Sequence, residues 1–406
     1  MRTLRILRQD ISSDRTPSLP PQASRFILWL IGFFAFLNVY SMQAVLPLVM
    51  QEFQASPVQA GATVGATVLA VALISPFMGM LSDALGRKVV LCASLFALTL
   101  PTALIAIVGD LHTLVLLRFL QGLAIPGIVV VTVAYIAEEF RAGNIARMTA
   151  IYVGGTVMGG FCGRFITGHA SHLLGWRGAF VVLAVMNLIG ALLVVRWLPG
   201  SRRFVPNRNV RGAFRTLRLH LHNRRLLAAC AVGFCVLFSL VGTFTYINVH
   251  LADTPYNLTA AGLANVFFVY LVGVVVTPLS GRFIVWSGFL RSLLAALVMS
   301  ATGLLLTLLP SLSGVILGLA LSSTGVFICQ SATMSFIADS VSEGRSLATG
   351  LYNTSYYAGG AIGAGVAGLA YEGWGWGGAV LSISLIQILA AGIALFGWRS
   401  PAVESL

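Results

Sequence analysis

The sequence predicts an all-α membrane protein with twelve transmembrane helices in two six-helix, pseudo-symmetric halves. Three observations carry this expectation. Of the 406 residues, 58% are hydrophobic and 9% are charged, against about 25% charged in soluble domains, and the mean hydropathy is +0.92. Apolar windows of about 20 residues, the length that crosses a bilayer core, recur throughout the chain. The second half of the chain also repeats landmarks of the first: Pro76, Gly79 and Gly86 return 202 residues later as Pro278, Gly281 and Gly288.

Taken in order, residues 1–25 form a polar arm, with Arg2, Arg5, Arg8, Arg15 and Arg25 against Asp10 and Asp14. The apolar run 26–50 exceeds the core of about 7–15 residues in a secretory signal and ends Leu-Pro-Leu-Val-Met, so it reads as a retained first span. Spans 2 to 6 are expected at 59–80, 89–109, 112–136, 147–169 and 178–198, completing an amino-terminal half over 26–198. A linker over 199–225 carries Arg202, Arg203, Arg208, Arg211, Arg215, Arg218, Arg224 and Arg225 and no acid. The carboxyl-terminal half, 226–398, holds spans 7 to 12 at 226–250, 260–281, 290–309, 313–337, 347–370 and 378–398, and 399–406 form a tail.

The cations orient the chain. Of 25 Arg and Lys, 22 fall in the arm, the tail, the connections 2–3, 4–5, 6–7, 8–9 and 10–11, or the adjoining helix ends; Arg177 alone stands on the opposite side. Positive loops stay inside, which places both termini in the cytoplasm of a bacterial inner membrane. The net charge of +13 follows from this topology and forms no single patch, so no nucleic-acid partner is expected. The five cysteines lie in apolar windows without metal-ligand spacing and read as small apolar residues. The chain has no phosphate loop, HExxH or GxSxG, so neither an enzyme nor an ATP-driven pump is expected, and no metal or cofactor.

The repeat extends through later spans. Tyr152, Gly159, Gly160, Gly163 and Gly168 match Tyr352, Gly359, Gly360, Gly363 and Gly368, and Gly175-Trp176 matches Gly375-Trp376. Equal polarity with an even number of spans per half implies parallel repeats about an axis along the membrane normal, as in transporters with a binding site near the midplane.

Three stretches carry a family resemblance. Gly79-x-Leu81-Ser82-Asp83-x-x-Gly86-Arg87-Lys88 falls in the 2–3 connection and resembles the signature loop of the major facilitator superfamily, with Ala84 where a base is common. The resemblance implies that Asp83 and Arg87 latch the halves while the protein is open outward; a plain topological anchor is the alternative. Gly79 and Gly86 are expected to allow close approach and a tight turn. Arg118-x-x-Gln121-Gly122 resembles a second motif, associated with proton-coupled members. An arginine inside a span costs at least about 2.5 kcal/mol and should face the interior, to influence a proton or solute site or to bond backbone carbonyls across helices. Gly155, Gly159 and Gly163 resemble the antiporter motif, with Gly160 where the family has proline, and small residues every four positions build a close helix contact. The stretch is similar to the bacterial drug and arabinose efflux permease branch.

Other candidates come from polarity. Arg164 either lines the outer cavity or snorkels outward. Asn38, Tyr40, Gln43, Tyr152, Tyr246, Asn248, Tyr270, Gln330, Tyr352, Asn353 and Tyr356 are polar or aromatic residues that line a cavity or pack between helices. His169 and His172 titrate in a useful range or are simply solvated. All twelve acids stand at helix ends, in loops or in the termini. The resulting expectation is a monomeric secondary transporter in the lipid bilayer, working by rocking of its halves on a small-molecule substrate. Efflux of a drug or sugar against protons, with the proton gradient as energy source, is the reading the resemblance favours. The alternative is proton-coupled uptake of a neutral or anionic metabolite, and a non-transporting receptor is a third class.

Overall fold

The computed structural model describes residues 21–140, 142–201, 218–341 and 345–398. The arm through residue 20, the tail from 399, and Arg202, Arg203, Arg208, Arg211 and Arg215 of the linker lie outside the described residues. Among the described residues all regular structure is helical.

Nine described helices are long and apolar enough to cross a membrane, and a pair bent by 44° makes a tenth span. Two of the nine run 55 and 51 residues, roughly 80 Å at 1.5 Å per residue. That is more than twice a hydrocarbon core of about 30 Å. Each of the two turns back at a glycine of positive φ, Gly175 at 71° within Ala142–Trp197 and Gly375 at 61° within Arg345–Gly397. Each therefore crosses twice, and the described residues form twelve spans. Val285, Trp286 and Phe396 are more than four-fifths exposed, as lipid-facing side chains are.

The single-helix spans are 2 (Pro57–Leu85), 3 (Arg87–Ile105), 4 (Leu111–Glu139), 7 (Arg224–Ala252), 9 (Phe289–Leu306) and 10 (Leu312–Ser340). Spans 5 and 6 share Ala142–Trp197, and spans 11 and 12 share Arg345–Gly397. Spans 2, 4 and 10 outrun their apolar windows because backbone hydrogen bonding continues past the last apolar turn until a cap or glycine stops it. Ser56 with Gln59, Asp110 and Ser311 cap their starts; Gly86 at φ 99° and its repeat mate Gly288 at φ 81° turn the chain after spans 2 and 8.

One expectation is corrected here. Span 1 is not one helix over 26–50: it runs Pro21–Leu37, unwinds, and resumes as a 3-10 turn (Ser41–Val45) and a helix Leu46–Phe53. Span 8, expected at 260–281, runs Ala260–Ser287 as one helix whose middle, Phe267–Leu271, tightens to 3-10. Irregular backbone at membrane depth survives only where protein satisfies it.

Within each half, one helix contact repeats. Gly155, Gly159 and Gly163 of span 5 lie against the carbonyls of Trp29, Phe33 and Leu37 of span 1, leaving no room for a Cβ. Gly359 and Gly363 of span 11 lie equally close to the carbonyls of Phe234 and Phe238 of span 7. At the remaining rung, Ser355 donates its hydroxyl to the Cys230 carbonyl at 2.9 Å. The halves meet where span 2 packs on span 11 and span 5 on span 8. The closest approaches are at Gly61 and Gly65 against Tyr246 and Ala364, and at Gly168 against Ala260 and Ala264. On the orientation read from the cations, these lie toward the outer end.

Candidate functional site

The two arginines inside the spans both bond to span 1 at its irregular stretch. Where span 1 unwinds, the carbonyls of Asn38 and Val39 lose their helical partners. Arg118 of span 4, fully buried, donates to both, from Nη1 at 2.9 Å and from Nη2 at 2.7 Å. Its Nε donates to the Thr63 carbonyl at 3.1 Å, and Nη1 also to Gln121 Oε1 at 2.6 Å. Gln121 passes the network to Thr102 Oγ1 at 2.7 Å, while the Asn38 amide donates to Asn187 Oδ1 at 2.9 Å. All of these partners belong to the amino-terminal half. Of the roles open to Arg118, the geometry displays the backbone one: it holds the break in span 1.

Arg164 is different. It is 1% exposed, so it does not snorkel outward. Its guanidinium carbon lies 4.6 Å from the ring centre of Tyr40 and 4.7 Å from those of Phe267 and Tyr270 on span 8. Each such contact favours the cation by about 2 kcal/mol when desolvated. Its Nε donates to Gln43 Oε1 and its Nη1 to the Gly160 carbonyl, both at 2.8 Å. Gln43 Nε2 in turn donates to Thr245 Oγ1 of span 7 at 3.0 Å. No carboxylate among the described residues pairs with Arg164.

Further aromatic contacts join tyrosines of spans 8 and 11. Tyr352 stacks on Tyr356 at 5.6 Å, Tyr356 meets Tyr357 edge-on at 5.5 Å, and Tyr270 meets Phe327 edge-on at 5.2 Å. The hydroxyls of the repeat mates Tyr152 and Tyr352 are buried without a hydrogen-bond partner. Other candidates lie apart. Tyr246 donates to the Ala364 carbonyl and fills the seam beside Gly61 and Gly368, so it packs between the halves. The Asn248 amide bonds its own helix at Phe244 O, 2.6 Å. Gln330 and Asn353 are half-buried and show no hydrogen bond to the Arg164 group. Polarity alone did not single out Phe267, Thr245, Asn187 or Tyr357; an asparagine within the apolar run of span 6 was the one available signal among them.

The signature loop lies far from this centre. Arg87 pairs with Asp83 Oδ1 at 2.5 Å and Glu138 Oε1 at 2.6 Å, tying the 2–3 turn to span 4 within one half. Gly86 makes the expected tight turn, but Gly79 faces open space, so close approach there is not made in this conformation; Lys88 is half-buried beside the turn. At the opposite end, the backbone N–H of Val58 donates to Glu372 Oε1 at 2.9 Å, and His169 Nε2 lies 3.0 Å from Asn265 Oδ1, both across the halves. His172 is exposed. In the 3–4 connection, the Thr113 backbone N–H and hydroxyl hold the Asp110 carboxyl below its ordinary range. The described acids, Glu52, Asp83, Asp110, Glu138, Glu139, Asp253, Asp339 and Glu372, all stand at span ends.

Known proteins share this architecture. A profile described as Major Facilitator Superfamily matches residues 28–364. The chain is 30% identical over 380 residues to the uncharacterized MFS-type transporter YybF of Bacillus subtilis, covering 93% of this chain and 94% of that one. It is 32% identical to the inner membrane transport protein YnfM of Escherichia coli, covering 91% and 89%. A crystal structure of a bacterial homolog of the human lysosomal transporter Spinster, inward-facing and unoccupied, superposes with a TM-score of 0.78 at 16% identity, over 95% of this chain and all of that one.

Proposed function

Since the chain belongs to the major facilitator superfamily, a family of multi-pass membrane transporters and not of enzymes, we propose that it exports a small organic anion by alternating access, with Arg164 as the anion contact. The observation that carries this reading is a buried guanidinium between the halves with no carboxylate partner among the described residues. A charge removed from water needs an opposite charge close by, and a solute acid group meets that need where a cationic drug is repelled. The aromatic rings over Arg164 close it off in this conformation, so the solute enters by moving Tyr270 and Phe267 on the irregular turn of span 8.

In this reading the protein works as a monomer in the bacterial inner membrane with both termini cytoplasmic. The sealed outer end, at Gly61, Gly168 and Glu372, then faces the periplasm, and the solute arrives from the cytoplasm. An interior-negative potential drives each negative charge outward by about 2.3 kcal/mol per 100 mV, and a proton taken in exchange adds to that force. The placement of the described acids at span ends also favours a second reading, uptake of the acid together with a proton carried by the solute itself.

The experiment is solute-triggered proton movement in proteoliposomes, across a panel of dyes, sugars and organic acids. Organic acids are expected to give the signal, with protons moving opposite to the acid for export and alongside it for uptake. A response confined to cationic dyes or neutral sugars contradicts the anion assignment.

A further inference from the structure

Gln43 occupies a position that neither the fold nor solute binding alone explains. It is fully buried on the 3-10 turn that follows the break in span 1. It links the two halves through a side chain that also touches the proposed anion contact. Arg164 Nε is a donor only, so the Gln43 atom facing it must be the carbonyl oxygen. The amide nitrogen is thereby aimed at Thr245 Oγ1 in the other half. The cross-half hydrogen bond is thus oriented by Arg164.

A guanidinium binds a carboxylate in bidentate fashion along one of two edges, Nη1–Nη2 or Nε–Nη2. On the first edge Nη1 already donates one of its two N–H groups to the Gly160 carbonyl, which is helix backbone and cannot turn away. On the second edge Nε is held by Gln43, a side chain that can. Nε has a single N–H, so an acid group on that edge must displace Gln43. We infer that Gln43 is a positioning residue that couples solute to gate: an anion arriving on the Nε–Nη2 edge of Arg164 displaces the Gln43 carbonyl, frees its amide from Thr245, and so loosens the closed outer end. This rests on the reading of Arg164 as the anion contact. It adds a direct connection between the occupied site and the seam of the halves, where Tyr246 against Gly61, Val58 with Glu372, and His169 with Asn265 add to the closure.

The test needs no identified solute. Spin labels at Leu173→Cys and Trp374→Cys, exposed positions at the outer ends of the two halves, report the open and closed populations of the full chain in nanodiscs. Thr245→Val removes the link at one end. Arg164→Lys keeps the charge but lacks the Nε edge and releases Gln43 at the other. Each is expected to raise the outer-open population roughly fivefold, the shift that the net contribution of one hydrogen bond produces. Together they are expected to do little more than Arg164→Lys alone, and in a Gln43→Leu background Thr245→Val becomes silent on this readout. Additive effects, or an effect of Thr245→Val that persists without Gln43, overturn the coupling.

A further arm adds benzoate as probe, scoring binding and distance together. Benzoate binding that widens the outer distance in the unsubstituted protein but not in Gln43→Leu supports the coupling. Benzoate binding that leaves the distance unmoved overturns it. Non-additive variants in a protein that transports no organic acid would defeat the anion reading and leave Gln43 as a link between the halves. Acid transport that depends on Arg164 with additive variants would defeat the coupling alone.

Discussion

At the residue scale, two buried arginines in one half do opposite work, and their surroundings say why. Arg118 spends its donors on carbonyls that an unwound helix has orphaned. Removing it leaves several buried acceptors unmade, each costing about 1–3 kcal/mol. Arg118→Ala is therefore expected to lower the melting temperature in detergent sharply and to reduce folded yield. Arg164 holds a side-chain amide and one carbonyl under three rings. Arg164→Gln is expected to keep most of the folded yield while losing transport. Equal loss of fold in both variants would erase the distinction drawn here. Both arginines were legible in the sequence as interior, because a cation in an apolar window has nowhere else to go. Their roles were not, because each depends on a break in a helix that hydropathy cannot register. The break in span 1 is satisfied from span 4, 80 residues away along the chain.

At the scale of elements, glycine position decides which helices touch. Gly159 and Gly363 stand against backbone carbonyls of spans 1 and 7, whereas Gly154 and Gly350 face open space. Overpacking a tight contact costs about 1–3 kcal/mol. Gly159→Ala and Gly363→Ala are each expected to destabilise the protein by about that much in chemical or thermal unfolding. Gly154→Ala and Gly350→Ala should stay within about 0.5 kcal/mol of the parent. A similar penalty at all four positions would show that the ladder is not what joins these helices. The ladder was legible from spacing alone, since residues four apart share a helix face. Its replacement by Ser355 at one rung was not, because nothing in that residue's sequence neighbourhood announces that its hydroxyl reaches a carbonyl of span 7.

At the scale of the whole molecule, the halves are joined at one end and the signature loop lies at the other. Both Arg87 ion pairs stay within the amino-terminal half, which leaves Asp83 as a proposed latch for the opposite conformation. Asp83→Asn is expected to reduce transport severalfold with normal membrane insertion, and the outer-closed population should rise on the spin-label readout. Unchanged transport would remove the latch. The fold was largely legible at this scale because span count and repeat follow from where apolar windows and recurring landmarks fall. The seam between the halves was less so. Tyr246 and Asn248 look like cavity residues by polarity, but one fills the seam and the other bonds its own helix.

The central claim is that a solute acid group meets Arg164, and the most direct measurement is export of an organic acid from proteoliposomes by the parent protein, Arg164→Gln and Arg164→Lys. Export by the parent, a loss of about tenfold or more in Arg164→Gln, and partial retention in the charge-preserving Arg164→Lys would support the account. Equal export by the parent and Arg164→Gln, with both variants folded and inserted, would contradict it.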